Sequence, residues 1–134
     1  MVRKYRTLDA SETQVRQFAD KAEQFSSAMH LAFDSKLWDA AVSNGVHAVI
    51  LMANALTGRR AGVYYADKDH GQAPEFLKQI FGPGASNAKE QMARVLNMKA
   101  VVEYEARGCT EKMANDVVKR VDRFFSWANE QKPG

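Results

Sequence analysis

Three histidines, one cysteine and a few carboxylates and cations carry most of the chemistry that this 134-residue chain could perform. His47 and Asn54 stand seven residues apart in AAVSNGVHAVILMANALTG (40–58), a run without Asp, Glu, Lys or Arg. Seven residues make about two helical turns, so both side chains leave one side of a helix. An imidazole there could act as acid, base or phosphate donor, or the pair could fix the register of packed helices. Asp69-His70 precedes another helical stretch, where Asp69 could cap the helix with His70 packed over it. Lys99 and Glu103 are four residues apart beside Tyr104, facing a nucleotide or partner, or forming a surface pair worth about 0.3–0.5 kcal/mol. Arg59 and Arg60, with Tyr64 and Tyr65, combine cations with aromatics. That composition suits stacking on and neutralising a nucleotide, and equally suits a solvated loop. Lys112, Lys119, Arg120 and Arg123 make the outer face of the last helix basic, but Asp116 and Asp122 dilute it, which reads as solvation. His30 has no partner visible in sequence.

Other chemistries find no support. There is no pair of histidines at helical spacing, no Glu-x-x-His, no glycine-rich phosphate loop and no Ser–His–Asp grouping, so neither metal nor cofactor is expected. Cys109 is the only cysteine; a thiol at a helix end would be slightly activated at most, and a reducing cytoplasm suits it. The opening MVRKYRTLDASET is basic but has no apolar core behind it, so it does not read as a secretory signal, and a cytoplasmic protein is expected. An apolar fraction of 46%, a charged fraction of 26% and a net charge of +3 belong to a globular domain that permits an acidic partner without demanding one.

The elements that must position these residues are helical. Ser11 and Gln14 have capping-box spacing, and Val15, Phe18, Ala22, Phe25, Met29 and Phe33 then form one apolar stripe over 11–35. The next helix, 37–57, is apolar all round, with Trp38, Gly45, Val49, Met52 and Leu56 opposite Ser43, His47, Ile50, Leu51 and Asn54. It has the length of a bilayer span, but its polar residues make it the central helix of a soluble domain, with His47 and Asn54 held where water is scarce. Gly58 is expected to cap it, and RRAGVYYADKDHG to follow as a loop. Helices at 73–81, with Pro74 in the first turn, at 87–106 and at 111–131 complete the pattern, with Gly108 as a second cap. No strand is evident. The chain reads as one all-α domain over 1–134, an antiparallel bundle of about five helices.

The order of these features resembles the HEPN domain, in which two long antiparallel helices are surrounded by shorter ones. SNGVHAVILMANALT is similar to the alanine-rich second helix of small bacterial members, and DHGQAPEFL to their loop histidine and short third helix. LNMKAVVEY (96–104) resembles the segment where a basic residue precedes Tyr by some five positions. TEKMANDVVKRVDRFFSWA resembles the last helix, which carries two large aromatics. The likeness runs from about Lys21 to Asn129. One feature departs from it. HEPN ribonucleases carry an Arg followed four to six residues later by His, whereas here the nearest such pair is Arg60 and His70, with nine residues between them. Lys99 stands where Arg is often found.

The resemblance therefore implies the fold, and a non-catalytic interaction protein. It would act as a partner or antitoxin-like component, or as a binder of a nucleotide or nucleic acid. One alternative is a metal-independent ribonuclease using Arg59 or Arg60 with His70 and Lys99. A ligand-free helical scaffold is another. A homodimer is expected, because one small bundle leaves part of the second helix around Ile50, Leu51 and Phe81 to be covered. Its two-fold axis would bring the loops around Arg60 and His70 of both copies into one cleft. A nucleotidyltransferase or another product of a neighbouring gene is the partner that the resemblance suggests; a membrane is not.

Overall fold

The computed structural model describes residues 5–131. Its elements in chain order are β1 (Thr7–Asp9), α1 (Glu12–Asp34), α2 (Trp38–Ala61), β2 (Val63–Tyr65), α3 (Ala73–Phe81), α4 (Ser86–Leu96), α5 (Lys99–Tyr104) and α6 (Glu111–Glu130). The architecture is all-α apart from one pair of very short strands. α1 and α2 form a long antiparallel hairpin with the most extensive contact in the molecule, and α6 packs against both, more extensively against α2. α3, α4 and α5 close the remaining face.

Local chemistry sets the ends of these helices. The Ser11 hydroxyl accepts from the Gln14 N–H at 3.1 Å, while the Gln14 side chain accepts from the Ser11 N–H at 3.0 Å. Thr110 caps α6 in the same way, accepting from the Met113 N–H at 3.2 Å. The α1–α2 turn is tight because Lys36 takes a left-handed conformation (φ 61°), letting the Leu37 N–H reach the Ala32 carbonyl at 2.9 Å.

α2 is apolar all round because it is enclosed. It is the one helix among the described residues long and apolar enough to cross a membrane, yet Val42, Val46, Ala48, Val49, Ala55 and Leu56 are all packed inside the bundle. Gly45 marks a close crossing: a Cβ there would lie 2.7 Å from Val117 Cγ1 of α6 and 3.1 Å from Met29 Sδ of α1. From α6, Val117, Val121 and Phe124 fill the centre without exposure.

Four expectations about this frame need correction. α2 does not stop at Gly58. It runs to Ala61 and is capped by Gly62 at φ 73°, whose N–H reaches the Gly58 carbonyl at 2.9 Å. Gly58 is instead a packing residue, since a Cβ there would meet Val15 Cγ2 at 2.8 Å. The segment after it is not all loop: Val63–Tyr65 pairs antiparallel with Thr7–Asp9, in the register Thr7 with Tyr65 and Asp9 with Val63. The expected helix over 87–106 is two helices, α4 and α5, joined through Asn97 and Met98. Lys99 falls where the Met92-Val95-Leu96 stripe would require another apolar side chain, and the break lets Val101 turn inward in its place. With the helix ending at Tyr104, Gly108 caps nothing; it lies in the connection to α6, close to Asp39.

Cys109, just beyond, is likewise not an activated thiol. Its N–H donates to Asp39 Oδ1 at 2.8 Å, and burial, helped by that carboxylate, pushes the thiol up to about 11. At pH 8 only about one molecule in a thousand would carry the thiolate, so alkylation by iodoacetamide is expected to be on the order of a hundredfold slower than for a free cysteine. Asp39→Asn, which removes the nearby charge, should recover part of the rate. A wild-type rate equal to that of glutathione would contradict the assignment.

Candidate functional site

The polar side chains of α2 are arranged by its packing. Ser43, His47, Ile50 and Asn54 recur at four-, three- and four-residue steps along one side of α2, where His47 is exposed and the other three are half-buried. His47 is exposed, contrary to the expectation of a buried imidazole, and its ring lies against Phe25 of α1 at 5.2 Å. Asn54 is half-buried two turns further on, at the mouth of a small cavity whose polar rim it shares with His70.

His70 arrives there through the strand pair. β2 fixes Tyr65, whose ring packs against Phe76 at 5.9 Å and whose hydroxyl donates to the Asp69 carbonyl. The Asp69 side chain accepts from the Gly71 N–H at 2.9 Å, capping a short 3-10 turn, His70–Gln72, rather than α3 itself. The loop is thus tied at both ends, and His70 is held half-buried over α2. α5, which packs against α2, contributes Lys99 and Glu103, whose charged groups are 4.0 Å apart.

Lys99, Asp69, Glu103 and His47 all lie within electrostatic reach of His70. Burial lowers the pKa of His70 below 6.5, and the Lys99 ammonium and, more weakly, His47 act in the same direction. Asp69 and Glu103 oppose them without reversing the shift. His70 is therefore a neutral imidazole at pH 7, able to accept a proton or to donate one hydrogen bond. Among the described residues, neither it, nor His47, nor the Asn54 carboxamide has a hydrogen-bond partner. Of these, Asn54 and His70 line one opening, and polar groups with unspent bonding capacity at an opening are what a ligand site supplies.

A profile of the HEPN domain matches residues 15–131. The chain belongs to the HEPN family. No curated protein sequence matches it.

Within this HEPN domain, His47, Asn54, Asp69, His70, Lys99 and Glu103 come together. Three other candidates do not join them. Arg59 borders a separate concavity with Ala10, Glu12 and Arg16. Arg60 stacks its guanidinium 4.9 Å above Phe81, whose ring in turn meets Trp127 at 5.2 Å. Tyr104 is 77% exposed at the end of α5. His30, without a visible partner in sequence, bonds to Asp122 of α6 at 2.9 Å. Arg120 is not simply solvated: it bridges Asp116 at 2.9 Å and the buried Gln91 at 3.2 Å. Sequence reasoning missed the part played by Tyr65 in fixing the loop, although a three-residue Val-Tyr-Tyr run is good strand material.

The arrangement offers a lysine cation, two imidazoles and an amide against two carboxylates. No group of three or more metal-ligating side chains occurs among the described residues. Such a set can hold an anion and shuttle a proton.

Proposed function

We propose that this HEPN-domain protein is a non-catalytic, dimeric binding protein whose cleft between α2, the His70 loop and α5 takes a nucleotide or nucleic acid. It would work in the cytoplasm beside a partner, such as a nucleotidyltransferase encoded nearby. The observation that carries the reading is that Asn54 and His70 line one mouth with hydrogen-bonding capacity unspent, with the Lys99 ammonium acting on His70 beside it. The partly exposed α2 stripe of Ser43, His47, Ile50 and Asn54, whose last two members line that cavity, supports a two-fold interface along it.

A second reading, ribonuclease activity without metal, draws on one further fact. His47 and Lys99 both act on a neutral His70, so a base and a cation are present, although neither Arg59 nor Arg60 contributes. One set of measurements decides between them. A mixed-sequence RNA 12-mer in EDTA is expected to bind with micromolar affinity by fluorescence anisotropy and to stay intact on a gel. Lys99→Ala should weaken that binding about tenfold, the worth of one charge-assisted hydrogen bond. Light scattering should give about 30 kDa, twice the chain's 15.0 kDa. Cleavage that His70→Gln abolishes would replace this reading with the ribonuclease. Absence of binding at about 100 µM would leave a helical scaffold.

A further inference from the structure

The cavity behind Asn54 and His70 has a volume of about 30 Å³. One water needs on the order of 10–15 Å³ on this measure, so it accommodates about two waters. Pockets that enclose an organic ligand are roughly ten times larger, at about 300–1,000 Å³. Nor can it grow easily. Its floor includes Leu77 and Met92, which are 0% and 1% exposed, and Phe76, which is wedged edge-on against Tyr5 at 5.6 Å. A purine or pyrimidine entering there would have to displace fully packed side chains, at the cost of the contacts they make.

The mouth offers a base little more. His47 already has Phe25 against its ring, and the exposed ring of Tyr104 belongs to the far end of α5. What the site does provide is donors: the Asn54 amide and an N–H on His70 line the mouth, and the Lys99 ammonium and His47 lie within electrostatic reach of His70. The two carboxylates nearby are partly spent, Glu103 on Lys99 and Asp69 on the Gly71 N–H. Converging donors above a cavity too small for a ring suit tetrahedral oxyanions.

We infer that the site recognises its ligand through phosphate oxygens lying across the mouth, and leaves the base unread. This rests on the reading of the cleft as a nucleotide or nucleic-acid site, and makes that binding independent of base identity. Amide spectra of the ¹⁵N-labelled protein, titrated separately with AMP, UMP, ribose 5-phosphate and adenosine at pH 7, test it. The three phosphates are expected to shift the amides of Asn54, His70, Gly71 and Lys99 with affinities within about threefold of one another, while adenosine shifts none. Lys99→Ala should weaken all three phosphates about tenfold and in parallel. Affinities of AMP and UMP differing by more than about tenfold, or adenosine binding as well as AMP, would overturn the inference while sparing the binding site. No shift from any of the four compounds would remove the site, and the inference with it.

Discussion

Gly45→Val is expected to cost roughly 3 kcal/mol or more and to lower the melting temperature by at least about 10 °C, the largest single-residue stability effect anticipated here. A Cβ at position 45 would sit 2.7 Å from Val117 Cγ1, 3.1 Å from Met29 Sδ and 3.3 Å from Val121 Cγ2. Met29 is flexible and can yield, but Val117 and Val121 are β-branched residues within a helix, confined largely to one rotamer and wholly buried. Relief therefore requires α2 and α6 to separate, which loosens the packing that unites the bundle. Gly45→Ala should fall between, because its favourable helix propensity, worth up to about 1 kcal/mol, offsets part of the clash. Gly84→Val is the control: it lies on an exposed turn with nothing within 4 Å of the added Cβ, and should melt close to wild type. Thermal melts followed by circular dichroism at 222 nm give the comparison. A Gly45→Val transition within about 2 °C of wild type would mean that the α2–α6 crossing is not as close as described.

The same crossing explains what the sequence could and could not convey. Ser11 with Gln14, and Thr110, are local signals acting over three residues, and the helices begin where those signals stand. The α1 stripe is similarly legible because its register depends only on helical periodicity. Gly58 and Gly62 are different. Both follow an apolar helix, and which one ends it depends on Val15 approaching Gly58 from another element, information that no window around Gly58 contains. The strand pair is hidden for a related reason: each partner is three residues long, too short to show a period, and each is stabilised by the other across more than fifty residues. His47 reads as buried because its neighbours are apolar, yet a helix enclosed on most sides still has an open stripe, and only the positions of α1 and α6 decide which stripe it is. The site itself was legible as residues and not as a constellation. His70 and Lys99 are individually conspicuous, but Arg59 and Arg60 look as suitable, and only the tertiary path of the β2 loop separates the two groups.

The second large effect concerns pH, with His70 as its source. Its folded-state pKa lies below the 6.5 of the unfolded chain, mainly from burial and then from Lys99. In the window between those two values the unfolded state binds the proton more readily, so stability rises with pH and is lost as pH falls below about 6.5. Asp69 from the loop and Glu103 from α5 moderate this, while Lys99 and His47, from α5 and α2, reinforce it. His70→Gln should remove the contribution, leaving a melting temperature that falls less steeply than wild type between pH 7 and pH 5. An anion at the mouth must act in the opposite sense, because a bound charge favours the imidazolium. Sulfate is the useful probe, being a dianion throughout this range, so that only the protein titrates. Against chloride at equal ionic strength, sulfate should stabilise the wild type more than His70→Gln at pH 5.5, with about tenfold tighter binding than at pH 8, the scale of one charge-assisted hydrogen bond. At pH 8 the two proteins should respond alike, since the general stabilising action of sulfate on folded chains is common to both. Parallel melting curves for wild type and His70→Gln across pH 5 to 8 would show that His70 titrates as it does in the unfolded chain, and would remove the electrostatic argument that joins it to Lys99.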